Sequence, residues 1–452
     1  MNVNKTLSAC LLILISTSSY AHQFGEYISL SGSARVRGES KNNSNFTDLR
    51  GDRIDFMASR FRAAFKIRPM ESSAKWHVLF QPQFTKTWGL ADATAAAGGG
   101  ATSGALYDAE LSVHQAFISY DPCKNINLTL GRQELSYGDE LVIGSVGWSN
   151  VGRSFDAAKI RYQSNKFWID GFGSKILESN ASTAGSPYTG DNQFFGAYAS
   201  FELHKYLSEF DLYYLRKHNR AHALNAAQPY AQTETTLSTW GTRLKSEVGN
   251  IFDYRFELTL QDGHPGEASI DRNYNSRGEY QADLEVGARF MKDKYRIGFE
   301  YFIASKEYDQ LFPTAHKWLG IADQFSRRNI EGFVVHLKGK PIKKFWVGLD
   351  YHNFRRKSTG YGVNTFTGGS PTPTAYYSGT AAGTSSNDNK IAQEWDLQMG
   401  YKLADGLNFS LGGARVIPGG YLKTIAGGVD GTGTKKLSDS TEFYYAQLMA
   451  KF

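Results

Sequence analysis

The feature that most constrains this chain is an alternation of apolar and polar residues that recurs from end to end. Phe252, Tyr254, Phe256, Leu258 and Leu260 alternate with Asp253, Arg255, Glu257, Thr259 and Gln261. The same pattern runs from Tyr280 to Phe290, from Trp395 to Leu403 and from Arg60 to Arg68. Successive side chains of a strand point to opposite faces, so each segment has one apolar and one ionic face. Strands of soluble proteins hold such a pattern for about 5–6 residues. Several segments here hold it for about 10, the length a tilted strand needs to cross a hydrocarbon layer. No apolar run approaches the ~20 residues of a membrane-spanning helix, which excludes a helical membrane protein. A polar average composition is compatible with a transmembrane barrel, whose lumen-facing residues are polar.

Eighteen such segments can be placed. They start near Glu26, Asp55, Ala74, Glu110, Ile126, Phe155, Phe167, Asn192, Ser208, Glu234, Phe252, Glu279, Tyr295, Asn329, Lys343, Ile391, Leu407 and Ser440. In the segments at Ile126 and Leu407 the alternation slips, with Arg132 and Arg415 out of phase; a bulge or an early exit from the membrane accounts for either. The connections alternate between short ones, such as Asp121–Asn125, Lys292–Lys294 and Ala404–Gly406, and long ones, such as Ser136–Ser154, Asn219–Thr233 and Glu307–Arg328. Outer-membrane barrels have short periplasmic turns and long outer loops. The predicted fold is therefore all-β: a transmembrane antiparallel β-barrel of 18 strands. The runs Ala93–Ala105 and Gly368–Asn389 are rich in small residues and read as flexible. Trp76, Trp168, Tyr351 and Trp395 near strand ends fit interfacial girdles. The last segment puts Tyr444, Ala446, Leu448, Ala450 and Phe452 on one face.

Before the barrel, Lys5, the apolar stretch Leu7–Ile15, and Ser19 and Ala21 ahead of His22 read as a secretory signal peptide over residues 1–21, leaving 22–452 as the barrel. Removal of that leader leaves a single cysteine, Cys123, which cannot form an intrachain disulfide or a Cys-pair metal site. The net charge of +6 falls to +5 with the loss of Lys5, and no basic block suggests nucleic acid. The expected location is the outer membrane of a Gram-negative bacterium. Its lipid and the barrel-assembly machinery are the expected partners, and no cofactor or metal is expected.

An eighteen-stranded barrel is wide enough for an aqueous channel, so the function lies in its lumen. The inferred inner face carries Arg35 and Arg37, then Arg60, Arg62, Lys66 and Arg68, then Lys159 and Arg161. No carboxylate is expected on the same faces of the first two strands. Later strands are mixed: Arg243 and Lys245, Arg255 with Asp253 and Glu257, Arg289 with Asp283 and Glu285, Arg296 with Glu300, and Lys402 with Glu394 and Asp396. Rings of basic side chains select anions, and guanidinium binds carboxylate in a fork. The first group reads as a solute pathway, the mixed group as ion-paired braces of the wall.

Two stretches go beyond pattern. One is Gly131-Arg132-Gln133-Glu134-Leu135-Ser136-Tyr137-Gly138-Asp139 with Ile143-Gly144, Trp148-Ser149-Asn150 and Gly152-Arg153-Ser154-Phe155-Asp156. The other runs from Leu311 through Pro313, His316, Lys317 and Trp318 to Asp323. Both resemble the alginate-export family of outer-membrane barrels. The resemblance implies eighteen strands and an arginine-rich lumen that passes a polyuronate. It makes Arg132 and Arg153 candidates for the lumen or constriction, and places His316, Lys317 and Asp323 in a loop able to fold over the pore. His316 and Asp323 read most simply as a hydrogen-bonded pair pinning that loop. Periplasmic export partners are compatible with such a role.

The leading expectation is a channel for an anionic solute, an acidic sugar or a polyuronate such as alginate. The alternative is a general or small-organic-solute porin, or, less favoured, a loop-mediated receptor or adhesin. An enzyme is not expected: the histidines, including His77, His114, His218, His264 and His336, are scattered singly. No nucleophile elbow, phosphate loop or zinc-protease motif is present.

Overall fold

In the computed structural model the described residues are 22–24, 27–43, 46, 53–69, 75–88, 111–177, 188–204, 206–225, 228–249, 251–264, 278–365, 375–377, 387–424 and 439–452. The expected leader, the run 93–105 and most of Gly368–Asn389 lie outside them. Among the described residues eighteen long strands follow one another: β1 (Ile28–Asn42), β2 (Ile54–Ile67), β3 (Trp76–Trp88), β4 (Leu111–Cys123), β5 (Ile126–Gln133), β6 (Phe155–Gln163), β7 (Phe167–Leu177), β8 (Tyr188–Phe201), β9 (Glu209–Asn225), β10 (Gln228–Val248), β11 (Phe252–His264), β12 (Glu279–Phe290), β13 (Tyr295–Ala304), β14 (Ile330–Ile342), β15 (Phe345–Arg356), β16 (Lys390–Ala404), β17 (Leu407–Pro418) and β18 (Thr441–Lys451). Each pairs antiparallel with the next. β18 returns to pair with β1, from Ser33 opposite Lys451 to Asn42 opposite Glu442, and closes the barrel. The last residue is sewn in by two backbone bonds between Gly32 and Phe452, 2.8 and 3.1 Å.

Closure leaves no unpaired sheet edge, the condition for a sheet to sit in lipid. The outward row is apolar although it is exposed: Phe61 (47 %), Leu130 (67 %), Val286 (47 %) and Leu397 (44 %). In water such a surface would drive association; in hydrocarbon it is the stable arrangement. The inward row is polar although it is buried, with Arg60, Thr85, Asp170, Arg243, Asp283 and Glu394.

The expected segments coincide with strands, with three differences. First, Asn219–Thr233, read as a long loop, mostly continues β9 and β10 as a hairpin that runs to Asn225 opposite Gln228. Beyond the hydrocarbon both faces of a strand meet water, so the strand persists while its alternation fades. Second, β5 and β17 have no register shift at Arg132 or Arg415, so an early exit from the apolar band explains their slipped pattern. Third, Trp168 is not in an outer girdle. It faces inward with Asp170 and stacks on Tyr198, ring centroids 5.6 Å apart, whereas Trp76 and Trp395 are exposed outward. Cys123 is exposed and free.

Two long connections, residues 134–154 and 305–329, fold back into the barrel instead of standing outside it. Leu135, Leu141, Val142 and Ile143 of the first and Tyr308, Phe312, Trp318, Leu319 and Phe325 of the second are buried together with Phe155, Phe172, Phe194, Tyr198 and Tyr213 of the wall. Each such side chain contributes about 1.5–3 kcal/mol when removed from water, an upper bound against a compact unfolded chain. The hydrophobic core of this molecule thus lies inside the barrel, between the two loops and wall residues that run on to Phe354, Val416 and Phe443.

Candidate permeation path

The two inward loops are the two stretches that stand out in the sequence, and they meet. Gly144 N–H donates to Phe312 O at 2.8 Å and Phe312 N–H to Val142 O at 2.9 Å, forming a parallel bridge between Ile143 and Phe312. Val146 N–H donates to Thr314 Oγ1 at 3.1 Å. A Cβ on Gly144 would stand 2.2 Å from that same oxygen, so only glycine allows this approach. Trp148 stacks on His316 at 3.8 Å, and His316 Nδ1 lies 2.7 Å from Asp323 Oδ2. Arg153 donates to Gly144 O and Pro313 O, at 3.3 and 3.0 Å. Burial pushes its guanidinium down to about 10, with Glu140 pulling the other way. Lys317 Nζ lies 2.7 Å from Glu140 Oε2. Burial raises the Glu140 carboxyl, but hydrogen bonds from Lys317 and Ser136 outweigh it and hold the group below its ordinary value.

On the β1–β2 wall, arginines hold the first loop by its carbonyls. Arg35 donates to Gly147 O and Ser149 O at 2.9 and 3.0 Å. Arg60 donates to the same two oxygens at 3.1 and 2.9 Å. Arg37 donates to Trp148 O at 2.8 Å and lies over the Trp148 ring at 3.7 Å. Arg62 donates to Val151 O at 3.0 Å. Contrary to the expectation of no carboxylate on this face, two stand against these four guanidinium groups: Glu39, two residues on from Arg37 in β1 and bonded to it at 2.6 Å, and Glu134 of the loop, 3.7 Å from Arg62 and 2.6 Å from His114. Lys66 is half-buried and Arg68 exposed, farther toward the short-turn end of the same face.

The opposite wall is ionic in another way. Arg161 forms a fork with Asp170 at 2.6 and 2.8 Å, with Lys159 4.0 Å away. Arg243 meets Asp139, Glu209 and Asp211 within 2.9 Å, and Lys245 meets Asp139 at 2.8 Å. Arg255 meets Asp283 at 2.7 Å and Glu285 and Glu300 at 3.4 Å. Arg289 meets Glu247 and Asp253 at 2.6 and 3.0 Å. Arg296 pairs with Asp253, and Arg327 of the second loop with Asp283. Stacked Tyr137, Tyr198 and Tyr213 donate to Asp170, Asp211 and Glu257 at 3.0, 2.7 and 2.7 Å.

The candidate residues are therefore sorted by geometry. Arg35, Arg37, Arg60 and Arg62 face inward but grip a loop. Lys159, Arg161, Arg243, Lys245, Arg255 and Arg289 face inward in ion pairs. Arg153 ties loop to loop. Arg132 does not face the lumen at all: it shares the outward face of Leu128 and Leu130 and forks onto Asp156 at 2.8 Å on the outer surface. Arg327 and Tyr137 were missed as site residues; both sit in loops, which carry no period to read. Glu394 and Asp396 were expected on the inner face with Lys402, which pairs instead with Asp405 at 2.5 Å.

A closed antiparallel barrel with an apolar outside and an ionic, loop-narrowed inside defines an outer-membrane β-barrel channel. The alginate-export family model matches residues 26–431, and the chain belongs to that family. Solved structures with similar folds include OccK3 (OpdO) of Pseudomonas aeruginosa, at TM-score 0.57 and 10 % identity, covering 94 % of this chain and 95 % of that one. OccAB4 of Acinetobacter baumannii aligns at TM-score 0.58 and 9 % identity, over 96 % and 100 %. OccK8 (OprE) of P. aeruginosa aligns at 0.55 and 11 %, over 94 % and 98 %. At these identities the likeness concerns the fold alone. No match is found among curated proteins. Family and fold place the protein in the Gram-negative outer membrane, and both are those of transport porins.

Proposed function

We propose that this channel passes an anionic solute, an acidic sugar or a polyuronate such as alginate, along the β1–β2 side of its lumen. The observation that carries this reading is how Arg35, Arg37, Arg60 and Arg62 are satisfied. Peptide carbonyls accept hydrogen bonds from all four without cancelling their charge, and two carboxylates face four guanidinium groups. In a narrow space with low-dielectric walls, uncancelled charge concentrates counter-ions. Lys66 and Arg68 continue the positive track, and the family's description as alginate exporters agrees with an acidic polymer. A second reading, a porin for small organic anions, is supported by the apolar filling of the lumen by residues 134–154 and 305–329, which narrows the path.

Both readings are tested in liposomes carrying the full chain, by entry rates of uronate and neutral-sugar oligomers of matched length. Faster entry of the uronate series at every length supports the polymer reading. Preference that vanishes beyond the monomer supports the small-anion porin. Equal rates, or faster entry of neutral sugars, would contradict both.

A further inference from the structure

Most of the inward carboxylates of this barrel face cations. Asp170, Asp211 and Asp283 each meet an arginine within 2.8 Å. Glu394 and Asp396 differ. They lie two residues apart on the inner face of β16 and are fully buried, at 0 and 1 % exposure. Among the described residues no lysine or arginine stands at ion-pair distance from either, and Asp396 has only His352, Nε2 to Oδ2 3.2 Å. Two desolvated carboxylates side by side are costly unless hydrogen bonds compensate them.

The compensation comes from the loop 305–329. Ile321 N–H donates to Asp396 Oδ2 at 3.1 Å, and Ala322 N–H donates to Glu394 Oε1 at 2.9 Å. From the other side Lys41 of β1 donates to Ala322 O at 2.9 Å. Ala322 is thus gripped at both backbone groups, a carboxyl oxygen on its N–H and the Lys41 ammonium on its C=O. Hydrogen bonds with a charged partner are about twice as strong as neutral ones. Gly320 makes the fit possible. Its φ is +85°, and a Cβ there would stand 2.2 Å from the Glu394 carboxyl carbon, so a side chain would strain the turn and part it from that carboxyl, whichever of the two moves. The same turn carries Trp318, Leu319 and Ile321 into the apolar filling of the lumen.

We propose that Glu394 and Asp396 are positioning residues that clamp the tip of 305–329 in the lumen, and so set the width and steadiness of the passage. The proposal rests on the chain being a channel and not on the charge of its solute. Single-channel amplitude and noise read it, while ion selectivity reads the proposed function, so the two can fail separately.

The test is single-channel recording in planar bilayers of the full chain, of E394A/D396A and of G320A, with barrel folding checked by heat-dependent electrophoretic mobility. Release of the loop tip predicts a roughly twofold larger conductance with frequent flicker in both variants, since the constriction governs conduction. G320A keeps both carboxylates and reads the clamp even where the double alanine variant does not fold. E394Q/D396N keeps acceptor oxygens for the two N–H groups and is expected to restore most of the steadiness. Folded G320A with unaltered amplitude and noise would overturn the proposal, as would E394Q/D396N no steadier than the double alanine variant.

Discussion

The two walls of the lumen are both rich in arginine and use it differently. On β1–β2 the guanidinium groups meet carbonyls of an inward loop, and only Arg37 and Arg62 of the four also meet a carboxylate. From β6 round to β14 they meet carboxylates, and the charge is cancelled locally. A hydrogen bond and an ion pair satisfy the same donors, but only the second neutralises the field. Counting arginines along the lumen therefore overstates how much of it attracts anions. The first wall holds a loop and, in the proposed function, is a source of potential; the second is a brace.

The comparison is sharpened first at the second wall. Asp283 is fully buried between Arg255 and Arg327, so Asp283→Ala leaves two buried cations with only the longer carboxylate contacts to Glu285 and Glu300, at 3.4–3.6 Å. It should cost about 3–5 kcal/mol, visible as a lower urea midpoint of barrel unfolding in detergent. An unchanged midpoint would show that the brace contributes nothing. Next comes the first wall. Arg35→Met with Arg60→Met removes four bonds to Gly147 and Ser149, where bonds from charged groups are worth about 1.5–3 kcal/mol each. Residues 134–154 should become sensitive to protease while the barrel stays folded. Anion preference should fall, whereas Arg289→Gln on the second wall should leave selectivity near its original value. Equal effects at both sites would erase the distinction.

A smaller effect is expected between the loops. Arg153→Met loses two such contacts, to Gly144 and Pro313, at about 1.5–3 kcal/mol each, read as faster amide exchange in residues 311–316. The smallest concerns Glu140. Its carboxyl is held below the ordinary value, so its contribution is full above the unfolded value and is lost as pH falls through the folded one. Lys317 is half exposed, so the loss is about 0.2–1 kcal/mol. Acidification should slightly raise the flicker of the channel, and Glu140→Gln should abolish that pH dependence.

How much of this was legible in the sequence follows from where periodicity exists. Strands in the hydrocarbon have an inside and an outside, and Phe252–Leu260 or Tyr280–Phe290 announce both. Asn219–Thr233 lies where both faces are wet, and its strand gave no signal. Arg132 could have been placed correctly: Leu128 and Leu130 share its parity, and they face lipid. Trp168 likewise shares parity with Asp170. The carbonyl partners of Arg35 and Arg60 could not be read, because a loop has no period and any peptide group can accept. Yet the stretches at Gly131–Asp156 and Leu311–Asp323 stood out by resemblance, and they proved to be the two loops that meet. His316 and Asp323 form the pair expected of them.

The most direct test of the central claim is the reversal potential of the full chain in planar bilayers under a KCl gradient. Uncancelled guanidinium charge on β1–β2 predicts a potential displaced toward the chloride equilibrium value, with the displacement shrinking as salt screens the wall. A potential displaced toward the potassium value, or none at low salt, would contradict the account.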